Sequence, residues 1–92
     1  VIRSFRSKAL KRFAEDGDML KLSVRNVQRV EIILARLDAA KRPEHMNLPG
    51  LYFHALKGSD RGRYSVRVTG NFRMTFAWDG EDAIDVDLED YH

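Results

Sequence analysis

Tyr64-Ser65-Val66-Arg67-Val68-Thr69-Gly70-Asn71-Phe72-Arg73-Met74-Thr75-Phe76-Ala77-Trp78, followed beyond Asp79-Gly80-Glu81 by Ile84-Asp85-Val86-Asp87-Leu88-Glu89, decides the fold of this chain. Apolar residues recur at every second position. Tyr64, Val66 and Val68 share one face, as do Phe72, Met74, Phe76 and Trp78, and then Ile84, Val86 and Leu88. Such alternation marks strands with one face in a core and the other in water. Parity also reads the two hairpins. A two-residue turn at Gly70-Asn71 would set Phe72 against polar Thr69. A three-residue loop, Thr69 to Asn71, instead pairs Val68 with Phe72, Val66 with Met74, and Arg67 with Arg73. By the same argument a three-residue loop Asp79-Gly80-Glu81 pairs Phe76 with Ile84 and Met74 with Val86, and brings Arg73 to Asp87. Gly70 and Gly80 are placed to supply the positive φ that such loops use.

Working outward, Leu51, Phe53 and Ala55 alternate with Tyr52, His54 and Leu56, which predicts a fourth, mixed strand after the turn Asn47-Leu48-Pro49-Gly50. Lys57 to Arg63 reads as a flexible loop. Further upstream the period changes from 2 to 3.6. Ser7 is placed to cap a helix carrying Leu10, Phe13 and Ala14, and Gly17 to stop it. Ser23 is placed to cap a second helix over residues 24–40, with Val24, Val27, Val30, Ile33, Leu34 and Leu37 as its apolar stripe, before Pro43. Arg25, Arg29, Arg36 and Lys41 lie off that stripe, as a solvated basic face or as a contact for nucleic acid or a partner. Ile2 to Phe5 alternates briefly, as a short edge strand does. The pattern predicts an α+β fold: two N-terminal helices packed on one face of a mainly antiparallel sheet of about four strands, in a single domain over residues 1–92.

Composition narrows the functions open to that fold. The chain has 92 residues and no cysteine, which excludes disulfides, cysteine-ligated metal centres and thiol nucleophiles. With 43% hydrophobic and 33% charged residues it is too apolar for a disordered chain. No apolar run is long enough to span a bilayer and no secretory h-region follows the N-terminal arginines, so a cytoplasmic protein is expected. The net charge of +2 hides an asymmetry. Residues 1–73 hold all 16 Lys+Arg and 7 Asp+Glu, a net +9; residues 74–92 hold 7 acidic residues and no basic one, a net −7. A basic body with an acidic end fits either a polyanion-binding surface or internal neutralisation.

Phosphate-loop, dinucleotide and zinc-protease motifs are absent, and His45, His54 and His92 have no metal-ligand spacing, so no metal or other cofactor is expected. What remains is a set of residue types: His54 on a strand, Lys57 in the loop after it, Arg67 and Arg73 on the open face, and the ending Asp90-Tyr91-His92. A histidine holds or gives a proton near neutral pH, and cations stabilise a phosphate whose charge grows in the transition state. These are the groups needed for RNA cleavage by the ribose 2′-OH.

Ile2-Arg3-Ser4-Phe5, Leu56-Lys57-Gly58, Gly62, Ser65-Val66-Arg67-Val68, Arg73, Phe76 and Glu89-Asp90-Tyr91-His92, taken in order, resemble the HigB-type toxins of the RelE/ParE superfamily of bacterial toxin–antitoxin systems. The resemblance implies a RelE-like, microbial-ribonuclease-like fold and ribosome-dependent cleavage of mRNA in the decoding site, with docking on 16S ribosomal RNA. It implies a HigA-like helix-turn-helix antitoxin that neutralises the toxin, the complex binding operator DNA through the antitoxin. His54, Asp90, Tyr91 and His92 fall on the family's catalytic positions, Lys57 and Arg73 on its phosphate-contacting positions, and Asn71 on a candidate base-reading position. Arg67, on the same face as Arg73, joins the phosphate-binding candidates. Two other readings stand beside this one: a DNA gyrase poison of the ParE type, and a catalytically inactive module that only binds antitoxin.

Overall fold

In a computed structural model of the chain, residues 1–90 are described, so the terminal Tyr91 and His92 lie outside the described residues. Helix α1 spans Lys8–Asp16 and α2 Val27–Ala39, followed by strands β1 (His54–Ala55), β2 (Arg63–Arg67), β3 (Phe72–Asp79) and β4 (Asp82–Asp90). The strands lie in the order β1-β2-β3-β4, every neighbouring pair antiparallel. The expected α+β layering is therefore what the chain forms.

Helix α1 begins where the Ser7 side chain accepts a hydrogen bond from Leu10 N and ends where Gly17, at φ 72°, returns its N–H to the Phe13 carbonyl. Helix α2 starts later than the apolar stripe suggests. Asn26, not Ser23, is its cap, accepting from Arg29 N at 3.1 Å. Val24 is 4% exposed and fills the core from the loop before the helix. Leu10, Phe13, Val30, Ile33, Leu34 and Leu37 pack with Val66, Val68, Met74, Phe76, Ala83 and Val86 in one cluster. Arg29 does not belong to a solvated face. Its Nε donates to the Val68 carbonyl at 2.5 Å and its Nη2 to Gly50 O at 3.1 Å, tying α2 to the sheet.

The first hairpin has the expected register, with Val66 opposite Met74 and Arg67 opposite Arg73. Its Gly70 does not use a positive φ, however; Gly80 does, at 63°. The second hairpin departs from expectation. Asp79 pairs with Asp82, leaving a two-residue turn, and Ala77 pairs with Ile84. One residue later the register slips, so that Thr75 faces Asp87, Met74 faces Leu88 and Arg73 faces Glu89. The extra residue is Asp85, at φ 50°, a left-handed position that aspartate tolerates better than most residues. The bulge explains the corrections. The short turn puts Ile84 on the sheet's helix-free side, beside Ala77. The added residue then returns Val86 and Leu88 to the core side. Arg73 consequently meets Glu89 rather than Asp87.

The edge segments are also less regular than read. Residues 2–5 form only two parallel bridges to β4, Ile2 to Ala83 and Phe5 to Val86. Between them the Asp85 N–H turns to the Ser4 hydroxyl at 2.8 Å, so the bulge interrupts the ladder. On the other edge, the expected strand over residues 51–56 shrinks to His54–Ala55. Leu51 O still accepts from Arg67 N and Leu56 N still donates to Arg63 O. Between those bonds this edge carries one more residue than β2, and Tyr52, at φ 51°, takes up the excess.

Candidate active site

Antiparallel register places side chains in rows across the helix-free face, with successive rows about 7 Å apart. Arg67, Arg73 and Glu89 form one row; His54, Ser65, Thr75 and Asp87 form the next; Arg63, Ala77 and Ile84 the third. His54 is exposed, and its Nδ1 lies 3.0 Å from the Tyr52 carbonyl. A carbonyl only accepts, so Nδ1 is the donor in this contact and Nε2 takes no part in it.

The two arginines beside this row are held differently. Arg67 is exposed and stands over the Tyr52 ring, its Cζ 4.3 Å from the centroid. Arg73 is half-buried and faces Glu89, Nη2 to Oε1 3.5 Å. Glu89 is itself anchored, since its Oε2 accepts from Thr75 Oγ1 at 2.5 Å. Thr75, fully buried, accepts in turn from Arg63 Nη2 at 2.9 Å. The same Nη2 bonds the Asp85 carbonyl at the bulge, again at 2.9 Å. Arg63 is 8% exposed, and its Nη1 finds no hydrogen-bond partner among the described residues. Burial pulls its pKa down, and the like charge of Arg6 adds to this. Glu89, Asp87 and Asp85 pull the other way, and a guanidinium stays charged throughout. Thus Arg63, Thr75, Glu89 and Arg73 form a continuous polar chain linking β2, β3 and β4.

The sequence-derived candidates divide into groups. His54, Arg67 and Arg73 occupy adjoining rows. Asp90 closes β4 opposite Phe72, one position past the Arg73–Glu89 pair, so the pleat puts it on the face of Leu88, which packs against the core, and not in the row of Arg73. Lys57 is exposed past Leu56, at the far end of the face from Arg67 and Arg73. Asn71 is exposed at the tip of the β2–β3 hairpin, beside a cleft shared with Ser23, Arg25 and Asn26. The sequence does not single out Thr75, Glu89 or Arg63 as site residues. Thr75 was legible from parity alone, because it shares a face with Arg67 and Arg73. Glu89 was hidden by the bulge. Among the described residues, no three His, Asp or Glu side chains converge as metal ligands, and no helix is long and apolar enough to cross a membrane.

Two helices on one face of a four-stranded antiparallel sheet make the RelE-like fold. A crystal structure of a YafQ variant from E. coli shares it with a TM-score of 0.58 at 13% identity, covering 97% of this chain and 94% of that one. A copper-bound mutant toxin from Helicobacter pylori gives a TM-score of 0.54 at 16% identity, covering 98% and 94%. The particular family follows from sequence. The model of the RelE-like toxin of the type II toxin–antitoxin system HigB matches residues 3–92. A curated relative, Endoribonuclease HigB of Proteus vulgaris, is 34% identical over 92 residues, covering 100% of both chains. The chain belongs to the HigB-like toxins of type II toxin–antitoxin systems.

Proposed function

We propose that this toxin is a ribosome-dependent endoribonuclease that blocks translation by cutting mRNA in the decoding site. The observation that carries the reading is His54, exposed and held through Nδ1, in the row next to Arg67 and Arg73. Endoribonuclease activity is the named activity of the relative from Proteus vulgaris. In the proposed reaction, the ribose 2′-OH gives its proton to a general base and attacks the adjacent phosphorus. The O2′–P bond forms, the P–O5′ bond breaks, and a general acid protonates the departing 5′-oxygen. His54 and His92 are the proton-transfer pair, with Asp90 orienting a histidine and Tyr91 hydrogen-bonding the phosphate or ribose. Arg73 and Arg67 stabilise the phosphorane charge, Lys57 holds a neighbouring phosphate and Asn71 reads a codon base.

The basic body, net +9 over residues 1–73, supports docking on 16S ribosomal RNA. The partner that silences the toxin is a HigA-like helix-turn-helix antitoxin, which also carries the complex to operator DNA. The place of action is the cytoplasm, where the ribosomes are. Induction of the chain followed by genome-wide mapping of mRNA 5′ ends tests the reading. Cuts phased with the reading frame are the expected result. DNA damage without cuts would point to a gyrase poison, and absence of toxicity to an inactive antitoxin-binding module.

A further inference from the structure

Tyr52 is the least economical residue on the site face. It is bulky and not glycine, yet it sits at φ 51°, where L side chains are strained. Its side chain gains little burial in return, because the residue remains 63% exposed. Strained aromatic residues left in water call for a functional account. The bulge that raises Tyr52 is tied on both sides to the proposed chemistry. Its carbonyl fixes His54 Nδ1, and the preceding carbonyl, of Leu51, accepts from Arg67 N at 2.7 Å. The Arg67 guanidinium covers one side of the ring at 4.3 Å, leaving the exposed area on the other side and the ring edge.

We propose that Tyr52, backed by Arg67, is a stacking platform for the nucleobase that adjoins the reacting phosphate of single-stranded RNA. The inference rests on the ribonuclease reading above and adds a subsite to it. An exposed ring face takes any base, because every base presents a π-face, and purines offer the larger overlap. The cation stacks on the ring through its face, and a guanidinium so placed can still donate through its N–H edges to a phosphate oxygen. One Tyr–Arg pair thereby holds the base and the phosphate of a single nucleotide, with His54 one row away. Two arginines in the adjoining row, Arg67 at the ring and Arg73 beside it, favour RNA over a protein as the occupant.

The experiment uses the full chain on programmed ribosomes. In one arm the mRNA is cleavable, and single-turnover rates are measured against toxin concentration. In the other it carries a 2′-O-methyl group at the cut site and 2-aminopurine on either side of it, and stacking is read as fluorescence quenching. Tyr52→Phe should match the parent in both arms. Tyr52→Gly should raise the half-saturating concentration about 5- to 100-fold, the range of lost base–aromatic stacking, with little change in the maximal rate, and should abolish the Tyr52-dependent quench. Glycine fits φ 51°, so this variant should also melt at a higher temperature, which separates lost stacking from a damaged fold. Quenching and concentration dependence equal to the parent's in Tyr52→Gly overturn the platform. Quenching by a parent that cuts no RNA overturns the ribonuclease reading and leaves the platform standing.

Discussion

The two hairpins of the sheet obey one parity rule and come out differently. In β2–β3 the alternation of apolar residues gives the register directly, because nothing interrupts either strand. In β3–β4 the same alternation misplaces the partners, because a two-residue turn and the bulge at Asp85 shift the pairing twice. Apolar periodicity reports which face a residue occupies only while each strand keeps its pleat. A bulge exchanges the faces beyond it, and its sequence signature here is one aspartate among several. The difference matters chemically. The regular hairpin presents Arg67 and Arg73. The irregular one decides that Arg73 is held by Glu89, and it supplies the Asp85 carbonyl that anchors Arg63.

The largest effect should come from the two histidines proposed for proton transfer, His54 in β1 and His92, two residues beyond β4 in sequence. His54→Gln and His92→Gln should each slow single-turnover cleavage on programmed ribosomes by ~10²–10⁴-fold, the usual range for a general acid or base. Both proteins should still bind antitoxin. His54→Gln cutting at the parental rate would remove β1 from the mechanism and leave His92 to carry it alone.

The core beneath both hairpins is next. Leu37 is fully buried in the cluster that includes Val66 and Met74 from the regular hairpin and Val86 from beyond the bulge. Leu37→Ala should reduce unfolding free energy by ~2–5 kcal/mol in urea titrations, as a change that leaves a cavity. A smaller loss would mean that the bulged half of the sheet collapses onto the space.

A smaller effect separates the two acidic neighbours that the hairpin readings offer Arg73. Glu89→Gln keeps the shape and weakens the charge that holds Arg73, and cleavage should fall roughly tenfold, the order of a 1–2 kcal/mol loss of transition-state stabilisation. Asp87→Asn, in the neighbouring row, should stay within about twofold on the same scale. The reverse ranking would restore the unbulged register.

How much could be read beforehand follows from the same physics. The element types, the cap at Ser7, the core stripe of α2 and the first hairpin rest on local patterns, and the chain displays them directly. The start of α2 does not, because Ser23 and Asn26 are both good caps. Asn26 starts the helix after Val24 has already turned into the core. For the site, His54, Arg67 and Arg73 were legible from strand parity. Arg63, in the same strand as Arg67, reads in sequence as the end of a flexible loop. Its role depends on Thr75, Glu89 and the Asp85 carbonyl, three groups brought to it only by the bulged register. Tyr52 looked like one more position in a mixed strand, since a single residue's excursion to positive φ leaves no periodic trace.

The smallest effect tests the turns themselves. Sequence parity treats Gly70 and Gly80 alike, as glycines in loops of equal length. The structure makes them opposites. Gly80 sits at φ 63° in the two-residue turn, whereas Gly70 does not use a positive φ. At neither would an added Cβ meet any atom within 4 Å, so packing cannot distinguish the two substitutions and only the backbone can. Gly80→Ala should therefore cost ~1–2 kcal/mol, the strain of an L residue in the left-handed region. Gly70→Ala should be neutral or stabilising by ~0.4–1 kcal/mol, because alanine restricts the unfolded chain without straining the folded one. Thermal melts of the two variants at equal concentration give the signs directly. Equal losses at both positions would mean that the first hairpin also closes through a left-handed residue, and the contrast between the hairpins would then reduce to the bulge alone.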